Sequence, residues 1–157
     1  MVDVNTYKTS LNGTGMRIAI AVADFNQTVT AGLLSGAVSK LRAFGVEPSD
    51  ITVAHVPGAF ELPGVARRFV DSQKFDAVIV LGAVIRGETP HFDSVVSAVT
   101  SGIANLSAEG KIPVLFGVLT TDTVDQAMAR SGLKGGNKGA DCAECAVEMV
   151  NLYKELA

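Results

Sequence analysis

Short apolar runs alternate along the chain with longer segments in which apolar residues recur every three or four positions. Four runs have the length and composition of buried β-strands, namely residues 17–23, 51–56, 77–83 and 113–120. Five segments have helical spacing, namely residues 28–44, 61–72, 92–106, 124–130 and 140–156. Gly45 follows the first helix as a stop signal. The alternation predicts a three-layer α/β sandwich with a central four-stranded parallel sheet and helices on both faces.

The segment that joins the third strand to the third helix carries the most chemistry. It contains Gly87, and then Thr89 and Pro90 in the positions expected for the N-cap and first residue of a helix. Backbone N–H groups at such a corner bind anions. His91 falls in the first helical turn, where the helix dipole disfavours the protonated ring, and a neutral imidazole can accept a proton and return it. The alternative is that His91 only packs at the start of the helix.

Ligands of parallel sheets bind beyond the carboxyl ends of the strands, so the loops after the strands are the candidate binding segments. Phe25 follows the first strand and Phe60 follows the second. The two rings could stack on a planar ligand, or they could simply cap the end of the sheet. Spacing alone does not separate these two interpretations.

The segment from Arg130 to Gly139 combines glycine-rich backbone with fixed cations, a composition that suits a phosphate group. The alternative is that its glycines form turns and its cations are solvated. The segment is not a P-loop, and Gly13 and Gly15 precede their strand, which excludes a dinucleotide fingerprint. A receiver domain is excluded because the third strand ends in Gly82 and Ala83, where a phosphorylatable aspartate would be needed. Nothing in the sequence suggests a serine-histidine triad.

Composition narrows the class of protein further. The chain has 157 residues and is 48% hydrophobic, yet it contains no apolar run of the roughly 18 residues that span a membrane. We therefore expect one soluble domain, residues 1–157, with some of its apolar surface buried between subunits. A net charge of −3, with 13 scattered Lys and Arg residues, argues against a nucleic-acid partner. The polar first residues do not resemble a signal peptide, which favours the cytoplasm.

Cys142 and Cys145 form a C-x-x-C pair in a segment of helical composition near the end of the chain. A redox pair would be expected between a strand and a helix, and a zinc site would need further cysteine or histidine ligands nearby. We favour structural packing over a reactive or metal-binding pair.

Five motifs in a characteristic order resemble the lumazine synthase family, whose members catalyse the penultimate step of riboflavin biosynthesis. They are DFN at residues 24–26, VPGAFELP at 56–63, VIRGETPHF at 84–92, FGVLTT at 116–121 and GGNKG at 135–139. The resemblance runs from about residue 15 to the C-terminus. It implies a flavodoxin-like sandwich assembled into pentamers, and in many members twelve pentamers form a 60-subunit icosahedral shell.

The resemblance also implies a reaction. In the family, 5-amino-6-(D-ribitylamino)uracil condenses with 3,4-dihydroxy-2-butanone 4-phosphate to give 6,7-dimethyl-8-ribityllumazine, phosphate and water, with no cofactor or metal. By the family pattern, Phe25 stacks on the pyrimidine, and Phe116 comes from a neighbouring subunit. The pocket for the ring and the ribityl chain is lined by Ala59, Phe60, Glu61, Ala83, Val84 and Ile85.

The remaining implied roles concern phosphate binding and proton transfer. Arg130 and the backbone at Glu88 and Thr89 would hold the phosphate, His91 would transfer protons, and Lys138 would assist electrostatically. Because Glu88 places a carboxylate beside this phosphate, its side chain is expected to point away. The short loop at residues 133–139 resembles shell-forming members, and residues 1–15 correspond to an arm that lies along a neighbouring subunit. Two alternatives stay open: a riboflavin synthase on the same fold, and a catalytically silent shell that binds flavins or encloses cargo.

Overall fold

Four parallel strands form the central sheet of the computed structural model, which describes residues 3–157. The strands are β1 (Ile18–Ala23), β2 (Ile51–Val56), β3 (Ala77–Ile85) and β4 (Val114–Thr121). Their order in the sheet is β2-β1-β3-β4, which periodicity along the chain could not reveal. β1 and β3 therefore lie side by side at the centre, and Ile18 is paired with both Ile51 and Ala77.

Helices cover both faces of this sheet, which confirms the predicted three-layer α/β sandwich. The helices are α1 (Gln27–Ala43), α2 (Leu62–Asp71), α3 (His91–Ala108), α4 (Val124–Ala129) and α5 (Lys138–Leu156). One core lies between the sheet and the helices α1 and α5, and a second lies between the sheet and α2 and α3. Strand β1 contributes side chains to both cores. Ile18, Ile20 and Val22 face the first core, and the alternating alanines face the second.

Most predicted boundaries are shifted by one or two residues, and two of these shifts have a clear physical cause. The third strand does not stop at Ala83, because Val84 and Ile85 continue the ladder by pairing with Thr120 and Thr121 of β4. The last helix begins at Lys138 rather than residue 140, because the Asn137 side chain accepts a hydrogen bond from the N–H of Ala140 at 3.1 Å.

The end of α1 shows why Gly45 acts as the predicted stop. Gly45 has a φ of +96°, a left-handed conformation that costs glycine little. Its N–H donates to the carbonyl of Arg42, and the N–H of Val46 donates to the carbonyl of Leu41. These two bonds satisfy the last carbonyls of the helix, and Val46 and Leu41 are both buried beside them.

The segment before α5 is fastened to α1. The Asn137 side chain donates a hydrogen bond of 2.9 Å to the carbonyl of Gly32, and a side chain at Gly139 would collide with the carbonyl of Leu33. The loop from Arg130 to Asn137 therefore lies on the α1 and α5 side of the sheet.

The two cysteines both lie on α5, as the composition of the segment predicted. Cys142 is buried in the first core, and burial raises the pKa of its thiol to about 11, so the group is protonated at neutral pH. Cys145 is exposed, so the predicted packing role applies to Cys142 and was wrong for Cys145.

The part of the predicted N-terminal arm around residues 10–12 lies against α5. The Asn151 side chain donates to the carbonyls of Ser10 at 2.7 Å and Asn12 at 3.1 Å. Residues 3–12 are exposed, while Met1 and Val2 of the predicted arm lie outside the described residues. Within residues 3–157, none of the helices combines the length and the apolar composition needed to cross a membrane.

Candidate active site

A cleft of about 590 Å³ opens at the carboxyl ends of β1 and β3. In this sheet β2 lies on one side of the central pair and β4 on the other, so the cleft occupies the topological switch point where ligands of parallel α/β sheets bind. Its lining residues are Phe25, Asn26, Gly58, Ala59, Phe60, Glu61, Ala83, Val84, Ile85, Gly87, Thr89, His91, Phe92 and Val95.

The loop after β1 places Phe25 at the cleft. The backbone N–H groups of Asp24 and Phe25 donate to the carbonyls of Val56 and Pro57 at 2.8 and 3.0 Å, so the β1–β2 ladder continues into the loop. The Phe25 ring is nevertheless 71% exposed. A large apolar ring held by ordered backbone and left uncovered is suited to contact a ligand or a second chain.

Asn26 connects this loop to the central strand β3. Its backbone is left-handed, with a φ of 64°, and its side-chain amide donates a hydrogen bond of 2.8 Å to the carbonyl of Ala83. Asparagine tolerates the left-handed region better than most residues. The contact fixes Phe25 relative to the floor of the cleft.

Replacing Asn26 should separate the value of this hydrogen bond from that of its backbone conformation. Asn26→Gly keeps the left-handed backbone and loses the bond, so we expect the free energy of unfolding to fall by about 1 kcal/mol. Asn26→Ala adds the steric cost of a left-handed backbone and should lose about 2 kcal/mol in total. Urea denaturation of the three proteins at equal concentration measures these differences. Equal stability of the glycine variant and the unchanged protein would show that the bond contributes nothing.

The loop after β2 forms the second wall. Gly58 donates its backbone N–H to Oε2 of Glu61 at 3.0 Å, which tightens the short 3₁₀ turn Ala59–Glu61. Ala59 is buried beneath the turn, whereas the Phe60 ring is 63% exposed. The structure thus brings Phe25 and Phe60 to one cleft, as their placement in the sequence suggested.

The corner between β3 and α3 forms the third wall, with His91 as the first residue of α3. The predicted N-cap was wrong by one position, because Pro90 rather than Thr89 occupies it. The ψ of Pro90 is 2°, and its carbonyl accepts the N–H of Asp93 at 3.0 Å, so the helix opens with a tight turn. His91 remains in the first turn, is exposed, and lines the cleft.

Glu88 lies between two residues that line the cleft, Gly87 and Thr89, but in the described chain it is not itself part of the lining. Its side chain is exposed. This placement is compatible with the expectation that the carboxylate points away from a bound anion, which stays a prediction.

Arg86 supports the same corner from outside the cleft. Its Nε lies 2.9 Å from Oδ1 of Asp122, its Nη1 lies 3.6 Å from Oδ1 of Asp93, and its guanidinium carbon lies 4.4 Å from the centre of the Phe92 ring. The hydrogen bond to Asp122 is the main reason that the pKa of Arg86 is raised above its usual value.

Besides Glu88, three further residues of the predicted site lie outside this cleft in the described chain. Phe116 is half-buried on β4 and faces the core beneath α2 and α3. Arg130 is exposed at the end of α4, where its Nη1 donates to the carbonyl of Gln126 at 3.0 Å. Lys138 is exposed at the start of α5. The loop that carries Arg130 lies on the α1 side of the sheet, whereas the cleft is walled by α3.

Sequence reasoning did not assign cleft positions to Asn26, Gly58, Gly87, Phe92 and Val95. A signal existed for Val95, because it lies four positions after His91 and so on the same side of the helix. The contact of Asn26 with Ala83 gave no such signal, since it joins residues 57 positions apart.

The cleft thus combines two exposed aromatic rings, an imidazole and the backbone turn that contains Gly87 and Thr89. Such a site can hold a planar ring, bind an anion and transfer a proton. Comparison with known families agrees with this chemistry: the model of the 6,7-dimethyl-8-ribityllumazine synthase family matches residues 15–154.

Proposed function

Because the chain belongs to the 6,7-dimethyl-8-ribityllumazine synthase family, we propose that it condenses 5-amino-6-(D-ribitylamino)uracil with 3,4-dihydroxy-2-butanone 4-phosphate. Family membership itself identifies a transferase of riboflavin biosynthesis that acts on small molecules in a homo-oligomeric assembly. The two substrates and the product 6,7-dimethyl-8-ribityllumazine are the finer assignment proposed here.

The observation that carries the proposal is the presence of His91 and two uncovered aromatic rings in one cleft. Phe25 stacks on the pyrimidine, and Phe60 lies on the opposite loop. The ring and the ribityl chain contact Ala59, Glu61, Ala83, Val84 and Ile85. Because Glu61 already accepts the N–H of Gly58 through Oε2, its second carboxylate oxygen is available to a ribityl hydroxyl.

The phosphate binds at the corner before α3, through the backbone of Glu88 and Thr89. Arg130 supplies the positive charge, and Lys138 adds to the local potential. Since Arg130 and Phe116 do not line the cleft of their own chain within residues 3–157, both reach the site from a neighbouring subunit. The site is then complete only in the oligomer, which accounts for the exposed rings of Phe25 and Phe60.

His91 moves the protons of the reaction. The primary amine of the pyrimidine attacks the ketone carbon, a proton passes from nitrogen to oxygen, and loss of water leaves an imine. Removal of a proton from the carbon next to the imine then expels phosphate and leaves an enol, which takes up a proton on its terminal carbon to become a methyl ketone. The ribitylamino nitrogen attacks this ketone, and loss of a second water closes the ring. Each step requires proton transfer next to the imine, which a single imidazole at this corner can perform. Holding the two reactants together lowers the rest of the barrier.

Three incubations separate this function from its alternatives. The proposed activity requires both substrates and yields lumazine, identified by its absorbance and mass. A riboflavin synthase would instead convert lumazine alone to riboflavin. A silent shell would bind flavin without turning over either mixture, and any result except lumazine formed from the two substrates would overturn the proposal.

We propose pentamers that assemble into a 60-subunit icosahedral shell, supported by the short loop at residues 133–139. With chains of 16.3 kDa, a pentamer has a mass of about 82 kDa and a shell about 1 MDa. Mass photometry at working concentration should show the larger species. A single population at the pentamer mass would contradict the shell and leave the pentamer intact. The expected cytoplasmic location stays a prediction.

A further inference from the structure

Arg86 contacts three separate elements at the edge of the cleft. Its backbone N–H donates to the carbonyl of Thr121 at 2.9 Å, and its guanidinium reaches Asp122 in the loop after β4. The same guanidinium approaches Asp93 and the ring of Phe92, both in the first turn of α3. His91, the first residue of α3, immediately precedes these two contacts.

Arg86 is linked to Arg130 through Asp122 and Gln126. The backbone N–H of Asp122 donates to Oε1 of Gln126 at 2.8 Å, and the carbonyl of Gln126 accepts Nη1 of Arg130 at 3.0 Å. One continuous set of contacts therefore joins the first turn of α3 to the helix α4 that bears Arg130. By the proposed function, the first turn of α3 forms part of the cleft of this chain, whereas Arg130 at the end of α4 reaches the cleft of a neighbouring chain.

We propose that Arg86 is a positioning residue that holds the first turn of α3 and the start of α4 in place, and thereby aligns His91 and Arg130. This inference rests on the proposed function for its consequence in catalysis. Exposed ion pairs add little to global stability, so the loss of Arg86 should appear as local loosening rather than unfolding. Phe92, which lines the cleft beneath the guanidinium, would lose its support in the same change.

Arg67 offers a matched control at the opposite end of α3. Its Nη1 and Nη2 lie 2.9 and 2.8 Å from the two carboxylate oxygens of Glu109, the residue that follows the helix. The hydrogen bond to Glu109 raises the pKa of Arg67, as the bond to Asp122 does for Arg86. Arg67 lies on α2, so Arg67→Ala removes a comparable surface arginine that contacts the far end of α3, away from the cleft.

Hydrogen exchange measured by mass spectrometry tests the positioning without any substrate. In Arg86→Ala, amides of residues 90–95 and 122–130 should exchange about tenfold faster than in the unchanged protein. Arg67→Ala should accelerate only residues near 105–110. Unchanged exchange at residues 90–95 and 122–130 in Arg86→Ala would overturn the proposal. If that variant does not fold, Arg86→Lys and Asp122→Asn take its place, because each weakens the Arg86–Asp122 contact.

Kinetics test the consequence for the reaction. We expect Arg86→Ala to lower kcat about tenfold while the KM for the pyrimidine changes by less than about twofold, because its binding walls are intact. Arg86→Lys should recover part of kcat, and Arg67→Ala should match the unchanged protein. An unchanged kcat in Arg86→Ala would refute the alignment of His91. Failure of the unchanged protein to make lumazine would refute the proposed function instead, and hydrogen exchange would still decide whether Arg86 holds the two elements.

Discussion

His91→Ala is expected to lower kcat about 100-fold, the largest effect we predict for a single substitution on the turnover number. The variant loses the group that moves protons during imine formation and phosphate loss. Catalysis should not disappear, because the cleft still holds the two reactants together. Initial rates at saturating concentrations of both substrates measure the effect. A kcat within about twofold of the unchanged protein would remove His91 from the chemistry.

His55 supplies the control for this measurement, because the sequence contains two histidines in all. It lies on the edge strand β2, where its Nδ1 is 2.8 Å from Oδ1 of Asp24, and the described cleft does not include it. His55→Ala should keep its kcat. Equal losses in both variants would indicate a general disturbance of the fold rather than a role in proton transfer.

Arg130→Ala is expected to raise the KM for the butanone phosphate by about 10- to 100-fold, the range that corresponds to one lost hydrogen bond to a charged group. If the guanidinium acts mainly in the transition state, the same loss appears in kcat. Lys134→Ala, which removes an exposed cation from the same loop, should change neither constant by more than about twofold. If the KM and the kcat of Arg130→Ala both match those of the unchanged protein, Arg130 does not bind the phosphate.

Mixed oligomers test whether Arg130 acts in a neighbouring site. Chains carrying His91→Ala and chains carrying Arg130→Ala are co-expressed, and the mixed assemblies are purified. At equal proportions about a quarter of the shared sites receive both unchanged residues, so activity should rise to about a quarter of the unchanged rate. Activity no higher than that of the two separate variants would show that His91 and Arg130 serve a site within one chain.

Periodicity predicted the layers well because the buried faces of strands and helices are local properties of the chain. The four strands and the helices appear where the sequence placed them, with shifts of one or two residues at most ends. Asn137 shows how a boundary is missed, because its role as a helix cap depended on a side-chain hydrogen bond to Ala140. The extension of β3 through Val84 and Ile85 depended on a partner strand elsewhere in the chain.

The cleft was predictable to the extent that its residues follow the ends of strands. Phe25, Phe60 and His91 follow three different strands, and parallel pairing brings those ends to one edge of the sheet. The strand order and the contacts of Asn26 and Arg86 were not predictable, because they join residues far apart in sequence. The placement of Arg130 outside the cleft likewise required the packing of its loop against α1.

Formation of lumazine by the unchanged protein tests the proposed function most directly. The two substrates are incubated with the purified assembly, with buffer alone and with heat-denatured protein, and the absorbance of the product is followed and its mass confirmed. We predict a rate well above both backgrounds, with phosphate released in equal amount. A folded assembly that forms no lumazine beyond the uncatalysed rate would contradict the assignment of this cleft as the site of the condensation.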